Sequence, residues 1–207
     1  MCRSCSPHLP WIRACCLRCG RALDDETKEY CDRCGVETHA FTAGRSTFLY
    51  EGALRDSVIR MKFKNHREYL DFYAAAMSIR SKSFLAQIRP AAMIPVPMHR
   101  QKRARRGFDQ VRELTDVLSA MTGIPAASDA AVRSRRTLPQ KGLDAAQRRE
   151  NLRGAFEIRR EALPSGPLLV IDDIFTTGST IDELCRALRD TGAEKLYFLT
   201  LCSAVRG

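Results

Sequence analysis

The stretch PLLVIDDIFTTGST, residues 167–180, predicts a buried strand that leads into a polar turn and then a helix. Residues 168–171 form a continuous apolar run, which is typical of a central parallel strand covered on both faces. Asp172 and Asp173 end this run, and apolar residues at helical spacing follow from Ile181. Because ligands of open α/β sheets bind at the carboxyl ends of the strands, we expect a binding site at the turn.

The turn after the predicted strand has the chemistry of a phosphate-binding loop. Backbone N–H groups at the start of a helix carry partial positive charge and can donate to a phosphate. Gly178 would let the backbone approach such a ligand closely, and the neighbouring hydroxyl groups add further donors. We therefore predict a phosphate site built from Thr176, Thr177, Gly178, Ser179 and Thr180.

The adjacent acidic pair, Asp172 and Asp173, needs a different partner, because a carboxylate repels a phosphate. Carboxylate oxygens accept hydrogen bonds from the paired hydroxyls of a sugar, or bind hydrated Mg²⁺. A phosphate on one side and a diol on the other describe a ribose 5-phosphate. The structural alternative is a strand that ends in a capping Asp, with Thr and Ser at a helix N-cap, but a cap needs only one such residue.

The sequence IDDIFTTGST closely resembles the phosphoribosyl-diphosphate (PRPP) signature of type I phosphoribosyltransferases. Over nearly the whole chain, the order of motifs is similar to that of the ComF family, which includes the GntX-type proteins. The chain has Asp109 where the family usually has Asn, and the additional Cys-x-x-Cys pair that often begins the family is missing, so we expect a truncated start. Besides the Cys-x-x-Cys pairs, the motifs that carry the resemblance are Tyr50-Glu51-Gly52, Lys62-Phe63-Lys64, Ile94-Pro95-Val96-Pro97 with His99, Arg106-Gly107-Phe108-Asp109-Gln110, and Gln140 with Arg148, Asn151 and Phe156.

The resemblance implies an α/β fold for residues 48–207, with a doubly wound, mostly parallel sheet of the type I phosphoribosyltransferase kind. A small zinc-ribbon-like segment would precede it at residues 1–40. The alternation of predicted strands and helices independently favours such a sheet. The resemblance also implies glycosyl transfer, in which a phosphoribosyl group passes from PRPP, bound with Mg²⁺, to an acceptor that the sequence does not identify.

In this interpretation the site residues fall into three groups, for the ribose hydroxyls, the 5-phosphate and the diphosphate of PRPP or a related ribose phosphate. The diphosphate group follows a second predicted strand at 91–97, and His99 there could also be an ordinary loop histidine. No residue is an evident catalytic base. The assigned residues are Asp172 and Asp173 for the hydroxyls, residues 176–180 for the 5-phosphate, and Met98, His99 and Arg100 for the diphosphate, with Arg105 and Arg106 nearby.

The chain is basic, with a formal net charge of +10. Residues 99–112 contain six Lys and Arg against one Asp, which favours an anionic partner, with a solvated Arg-rich surface as the alternative. The ComF resemblance implies a second kind of function, that of a non-enzymatic competence factor in natural transformation, which handles incoming single-stranded DNA with a helicase-like partner. Aromatic residues are only 7% of the chain and are not interleaved with the basic runs, so no stacking platform for DNA is evident.

The cysteine pattern predicts a zinc site near the start of the chain. Two Cys-x-x-Cys turns can each aim two thiolates at one tetrahedral ion. Four ligands close such a site, so we expect structural rather than catalytic zinc, and metal binding would supply folding energy for so small a segment. A redox or vestigial ribbon is the alternative. The predicted ligands are Cys16, Cys19, Cys31 and Cys34, while Cys2, Cys5 and Cys15 have no assigned partner.

No apolar run approaches the roughly 18 residues of a membrane span, and the start of the chain carries Cys pairs, arginines and acids rather than an apolar signal region. We therefore expect a cytoplasmic protein without membrane insertion. In that compartment Cys-x-x-Cys pairs bind metal or do redox chemistry rather than form structural disulfides.

Hydrophobic spacing predicts the remaining elements, with Phe63 and Ile79 on the apolar faces of their helices. Right-handed crossovers would bring Met98 and Asp173 to the same edge of the sheet. The predicted elements are a linker at 36–47, a strand at 48–52, helices at 53–63 and 69–88, a basic loop from 98 to 106, a helix at 107–122, a mobile loop at 135–140, a helix at 145–152, and strands at 154–158 and 195–205.

Overall fold

The computed structural model describes residues 8–135 and 144–204. Within these ranges helices and short strands surround one parallel sheet. In chain order the elements are α1 Asp32–Val36, β1 Ala43–Leu49, α2 Gly52–Lys64, α3 Tyr69–Arg80, α4 Lys82–Ile88, β2 Ala92–Pro95, α5 Arg100–Arg106, α6 Gln110–Thr122, β3 Ala131–Arg133, α7 Ala145–Leu152, β4 Phe156–Ile158, a 3₁₀ turn Arg160–Ala162, β5 Leu168–Phe175, α8 Ser179–Asp190 and β6 Leu196–Ser203.

The central sheet has four parallel strands in the order β1-β6-β5-β2, and β3 pairs with β4 in a separate antiparallel ribbon. Leu169 and Ile171 of β5 pack against a core that includes α2, α3 and α6. Leu168 and Val170 pack into a second core, with α8 and the cysteine-rich segment. Helices therefore cover both faces, which confirms the predicted α/β class with a mostly parallel sheet and explains the continuous apolar run.

Strand β5 is longer than its apolar run predicts. It continues through Asp172 and Asp173 to Phe175, because its pairing with β6 continues, with Asp172 opposite Thr200 and Ile174 opposite Cys202. The prediction that the acidic pair ends the strand is therefore wrong. The two carboxylates are carried by the regular backbone of a central strand.

Strand β1 begins at Ala43, inside the segment 36–47 that the sequence predicts to be a linker. The first residues of this strand are small or polar, so the sequence does not show the apolar pattern from which strands are predicted. Ser46 is buried and its hydroxyl lies 2.8 Å from the Thr200 hydroxyl on β6. At Gly44 a Cβ would lie 2.1 Å from the Phe198 ring, so only glycine fits under that side chain.

The predicted helix at 69–88 is divided into α3 and α4 at Ser81. The expectation that Phe63 and Ile79 lie on apolar helix faces in the core is wrong, since they are 71% and 68% exposed. The apolar face of α2 ends with Met61, and the Phe63 ring instead lies 5.1 Å from the Arg106 guanidinium.

The sequence predicts a basic loop after β2, but most of these residues form the helix α5 instead. His99 is its N-cap and accepts a hydrogen bond from the Gln101 N–H at 3.3 Å. Gly107 ends the helix in the left-handed conformation, with φ at 84°, so α6 begins at Gln110 rather than at residue 107. Asp109 caps α6, a role that Asn serves equally well, which accounts for the departure from the family motif.

Some predictions concern residues outside the described ranges. These are Cys2, Cys5, Gln140 and most of the predicted mobile loop at 135–140. Within residues 8–135 and 144–204, no helix has both the length and the apolar character that a membrane crossing requires.

Candidate functional site

A cleft of about 600 Å³ opens at the carboxyl ends of β2 and β5. Strand β2 ends at Pro95, because a proline cannot continue the hydrogen-bond ladder, and the chain turns into α5. Strand β5 ends at Phe175 and leads into α8. The predicted site residues that line the cleft are Met98, His99, Asp172, Asp173, Thr176 and Thr180.

The acidic pair lies at the floor of the cleft within a hydrogen-bond network. Asp173 Oδ2 accepts from Lys62 Nζ and from Gln110 Nε2, each at 2.8 Å. Gln110 Oε1 in turn accepts from Arg106 Nη1 at 2.6 Å, and Asp172 Oδ1 accepts from the Asp173 N–H at 2.8 Å. Among the described residues, none donates to the other oxygen of either carboxylate, so each keeps an acceptor for a ligand.

The two carboxylates differ in their protonation. Burial and the neighbouring charge of Asp173 raise the pKa of Asp172 to about 7. Burial alone would also raise the pKa of Asp173, but the charge and hydrogen bond of Lys62, with the hydrogen bond from Gln110, hold that pKa below its ordinary value. Near neutral pH, Asp173 is therefore ionised, while Asp172 is only partly ionised.

The turn after β5 only partly matches the predicted phosphate site. Thr176 and Thr180 line the cleft, whereas Thr177, Gly178 and Ser179 are not among its lining residues. The hydroxyls of Thr177 and Ser179 lie 2.9 Å apart and bond to each other. Gly178 has a φ of 78° and is the N-cap residue of α8.

The opposite wall of the cleft is formed by α5 and the residues before it. Lys102, Arg105 and Arg106 line the cleft. Arg100, which the sequence grouped with His99 for the diphosphate, instead lines a second groove on the other side of α5, with Arg103 and Arg112. The helix thus presents positive charge to two sides.

Four further cleft residues were not assigned by the sequence. Lys62 reaches Asp173 from α2, and its side chain is only 14% exposed. Lys62 and Gln110 lie in the motifs that carry the family resemblance, but these motifs do not predict that both side chains contact Asp173. Lys102 and Arg133 also line the cleft, and desolvation lowers the pKa of both side chains there, although Lys102 still reaches solvent at the rim.

The second candidate site is a metal centre formed by the four predicted cysteines. Their Sγ atoms all lie within 4.8 Å of one another, and all four residues are buried. The Cys19 and Cys31 sulfurs are 3.7 Å apart, close to the edge of roughly 3.8 Å in a tetrahedron with Zn–S bonds of about 2.3 Å. The cluster fits structural zinc.

Comparison with known proteins gives consistent relatives, although no protein-family model matches the chain. Competence protein F of Haemophilus influenzae is 29% identical over 195 residues, which cover 84% of this chain and 85% of that protein. DNA utilization protein YhgH of Shigella flexneri is 28% identical over 208 residues, covering 90% and 89%. Competence protein ComFC of Bacillus subtilis is 22% identical over 204 residues, covering 93% and 79%.

The fold and sites define a parallel α/β protein with a charged cleft and a closed four-cysteine centre. Together with the named relatives, these features support the ComF family that the order of motifs predicts.

Proposed function

We propose that the cleft binds PRPP and that the protein transfers the phosphoribosyl group to an acceptor, as a glycosyltransferase of the cytoplasm. The observation that carries the proposal is the juxtaposition, in one cleft, of the acidic pair on β5, the first turn of α8 and the cationic side chains of α5. PRPP has three matching groups, namely a ribose diol, a 5-phosphate and a diphosphate.

The acidic pair binds the ribose hydroxyls. Asp172 and Asp173 each keep one oxygen without a donor among the described residues, which suits two adjacent hydroxyls. Lys62 neutralises Asp173 and holds it in place. Because the pKa of Asp172 is raised to about 7, ribose binding varies with pH near neutrality.

The turn binds the 5-phosphate. Thr176 and Thr180 line the cleft, and their hydroxyl groups can donate to a phosphate. Helix α8 runs for 12 residues, so its N-terminus carries the partial positive charge that favours a phosphate.

The α5 wall binds the diphosphate, through Lys102, Arg105 and Arg106 rather than through Arg100. In the transfer, the bond between ribose C1 and the diphosphate oxygen breaks, and the diphosphate leaves with the electron pair. The acceptor forms a new bond to C1 and releases a proton to solvent. Fixed positive charges lower the barrier because they stabilise the departing anion. Mg²⁺ bound to the diphosphate would neutralise part of this charge.

Isothermal titration with PRPP and Mg²⁺ tests the proposal. We expect micromolar binding, and a loss of at least about 100-fold in Asp172→Asn plus Asp173→Asn, because hydrogen bonds to charged groups contribute roughly 1.5–3 kcal/mol each. The matched control is Asp56→Asn plus Asp71→Asn, which makes the same charge change at two exposed helix positions. Equal affinities in a folded cleft variant and in the control would refute the ribose assignment.

A second candidate function is favoured by the names of the relatives and by the two-sided charge of α5. As a competence factor, the protein would bind single-stranded DNA, with a helicase-like partner, through backbone phosphate contacts. Arg100 and Arg103 line the groove that faces away from the cleft, so DNA and PRPP need not compete. The same groove is also lined by Asp109, Glu113 and Asp116, so the two α5 arginines would make the phosphate contacts.

Measuring the salt dependence of DNA binding tests this candidate. Arg100→Ala plus Arg103→Ala should weaken binding to single-stranded DNA and reduce the slope of log K against log salt by about 1.4, the value for two phosphate contacts. The PRPP affinity should stay unchanged in this variant. An unchanged salt slope would show that these arginines are only solvated.

A further inference from the structure

The cysteine-rich segment contacts the turn that follows β5. Arg33 Nη1 donates to the Thr177 carbonyl at 2.5 Å, and Arg21 Nη2 donates to the Thr176 carbonyl at 3.2 Å. Among the described residues, none before Lys62 lines the cleft, so these two arginines reach the turn from outside it. Both hydrogen bonds connect the cysteine-rich segment directly with the backbone of the turn.

Both arginines lie next to the cysteine cluster in the sequence. Arg33 lies in α1 between the predicted ligands Cys31 and Cys34, and its Nε donates to Glu37 Oε2 at 2.7 Å. Arg21 follows the first cysteine turn, and its carbonyl accepts from the Cys16 N–H at 2.8 Å. The positions of both side chains therefore depend on the closed cluster.

The hydrogen bonds determine the direction of the backbone N–H groups in the turn. In a trans peptide the carbonyl and the following N–H point in opposite directions, and all described peptide bonds are trans. Because the Thr176 and Thr177 carbonyls point toward the arginines, the N–H groups of Thr177 and Gly178 point away from the cysteine-rich segment. Oriented N–H groups are what a bound anion requires.

A third contact joins the cluster to the start of α8. His39 Nε2 lies 3.5 Å from the Cys34 sulfur, and His39 Nδ1 lies 2.8 Å from Asp182 Oδ2. Asp182 is in the first turn of α8 and also accepts from the Ala40 N–H at 2.9 Å. Both side chains are almost completely buried. The chain from cluster to helix is therefore continuous.

We propose that Arg33, with Arg21 and the His39–Asp182 pair, positions the turn after β5, so that zinc in the cysteine cluster and a phosphate ligand in the cleft stabilise each other's binding. This inference rests on the proposed function for the identity of the ligand. Arg33 is a positioning residue, because it touches the carbonyl side of the turn and not the ligand. Coupling of this kind is reciprocal in binding free energy, so PRPP must raise the affinity for zinc by the same factor by which zinc raises the affinity for PRPP. We expect the tighter zinc binding to appear as slower zinc release.

The test compares Arg33→Ala with Lys28→Ala in the full chain. Lys28 belongs to the same segment, and its side chain bonds to Asp32 at the surface rather than to the turn after β5. Metal analysis first establishes that each variant retains its zinc. In Arg33→Ala we expect the affinity for PRPP to fall by at least about tenfold, which is the effect of losing one hydrogen bond to a charged group. We also expect that PRPP no longer changes the rate at which this variant releases zinc to a chromogenic chelator. Arg33→Lys should recover part of both, and Lys28→Ala should behave as wild type.

Hydrogen exchange of the peptide that spans residues 175–181 separates this inference from the proposed function. Arg33→Ala should raise exchange there by at least about tenfold, with or without PRPP, and leave β6 unchanged. If the wild type binds no PRPP but exchange responds in this way, the proposed function fails and the positioning role stands. If exchange in this peptide and the rate of zinc release are the same in Arg33→Ala and Lys28→Ala, the positioning role is overturned.

Discussion

The two walls of the cleft are built in opposite ways. The turn after β5 leads into α8, whose inner face is buried against the sheet at Ile181, Leu184, Cys185 and Leu188. The facing helix α5 has seven residues and buries none of them. His99 caps its N-terminus and Gly107 caps its C-terminus. One wall is fixed by the core, while the other is a short cationic helix that carries its side chains in solvent.

This difference fits the ligand that we propose. A ribose 5-phosphate has a fixed shape, and backbone groups held by a core recognise it with little loss of entropy. A departing diphosphate changes its position and charge, and long basic side chains can follow it. The first wall should therefore control stability and specificity, and the second should control affinity for diphosphate or for DNA.

Truncation of a core residue gives the largest expected contrast between the walls. Leu184 is fully buried, so Leu184→Ala should lower the free energy of unfolding by about 2–5 kcal/mol. Arg103→Ala on α5 should change it by less than about 0.5 kcal/mol, since the side chain is exposed. Urea denaturation measures both. Similar costs at the two positions would remove the distinction between a fixed and an adaptable wall.

The pH dependence of stability gives the next contrast. The pKa of Asp172 is raised from 3.8 to about 7, so between these values the folded protein keeps a proton that the unfolded chain has lost. This group's contribution to stability therefore falls as the pH rises through that window. Asp172→Asn removes the effect, and its advantage over wild type should grow to on the order of 1–3 kcal/mol above pH 7.

Urea denaturation at several pH values, with Asp71→Asn as the exposed control, checks this prediction. An advantage of Asp172→Asn that stays constant with pH would contradict the raised pKa.

Two glycines allow a smaller and closely matched comparison. Gly178 in the turn and Gly107 at the end of α5 have φ values of 78° and 84°, so Ala at either position costs about 1–2 kcal/mol. At Gly178 a Cβ would also lie 3.0 Å from the Phe175 ring, whereas nothing lies within 4 Å at Gly107. Gly178→Ala should be the more destabilising of the two in thermal denaturation, and only it should weaken binding of ribose 5-phosphate. Equal effects would show that the turn tolerates adjustment as well as α5 does.

Local patterns in the sequence were enough to predict the sheet class, the cysteine cluster and the location of the cleft. The continuous apolar run identified β5, and the spacing of Cys16, Cys19, Cys31 and Cys34 identified a set of ligands that the fold brings together. These features depend on neighbours within a few residues or on a regular spacing.

Contacts between distant segments could not be predicted in this way. Gln110 is 63 residues from Asp173, and Arg33 is 144 residues from Thr177. The first part of strand β1 was missed because residues 43–47 are small or polar, as in a linker, and the buried Ser46 hydroxyl bonds to another strand. The orientation of α5, which separates Arg100 from the cleft, depends on the cap at His99 rather than on the charge pattern.

The central claim is that one wall of the cleft binds the ribose 5-phosphate part of PRPP and the other wall binds the diphosphate. Titrations with PRPP, ribose 5-phosphate and diphosphate, each with Mg²⁺, test it most directly. They compare wild type with Lys102→Ala plus Arg105→Ala, two cleft residues of α5 outside the hydrogen-bond network of Arg106, Gln110 and Asp173. We predict that the variant loses at least about tenfold in affinity for PRPP and diphosphate but binds ribose 5-phosphate as well as wild type does. An equal loss for ribose 5-phosphate, or no loss for diphosphate, would contradict this division of the cleft.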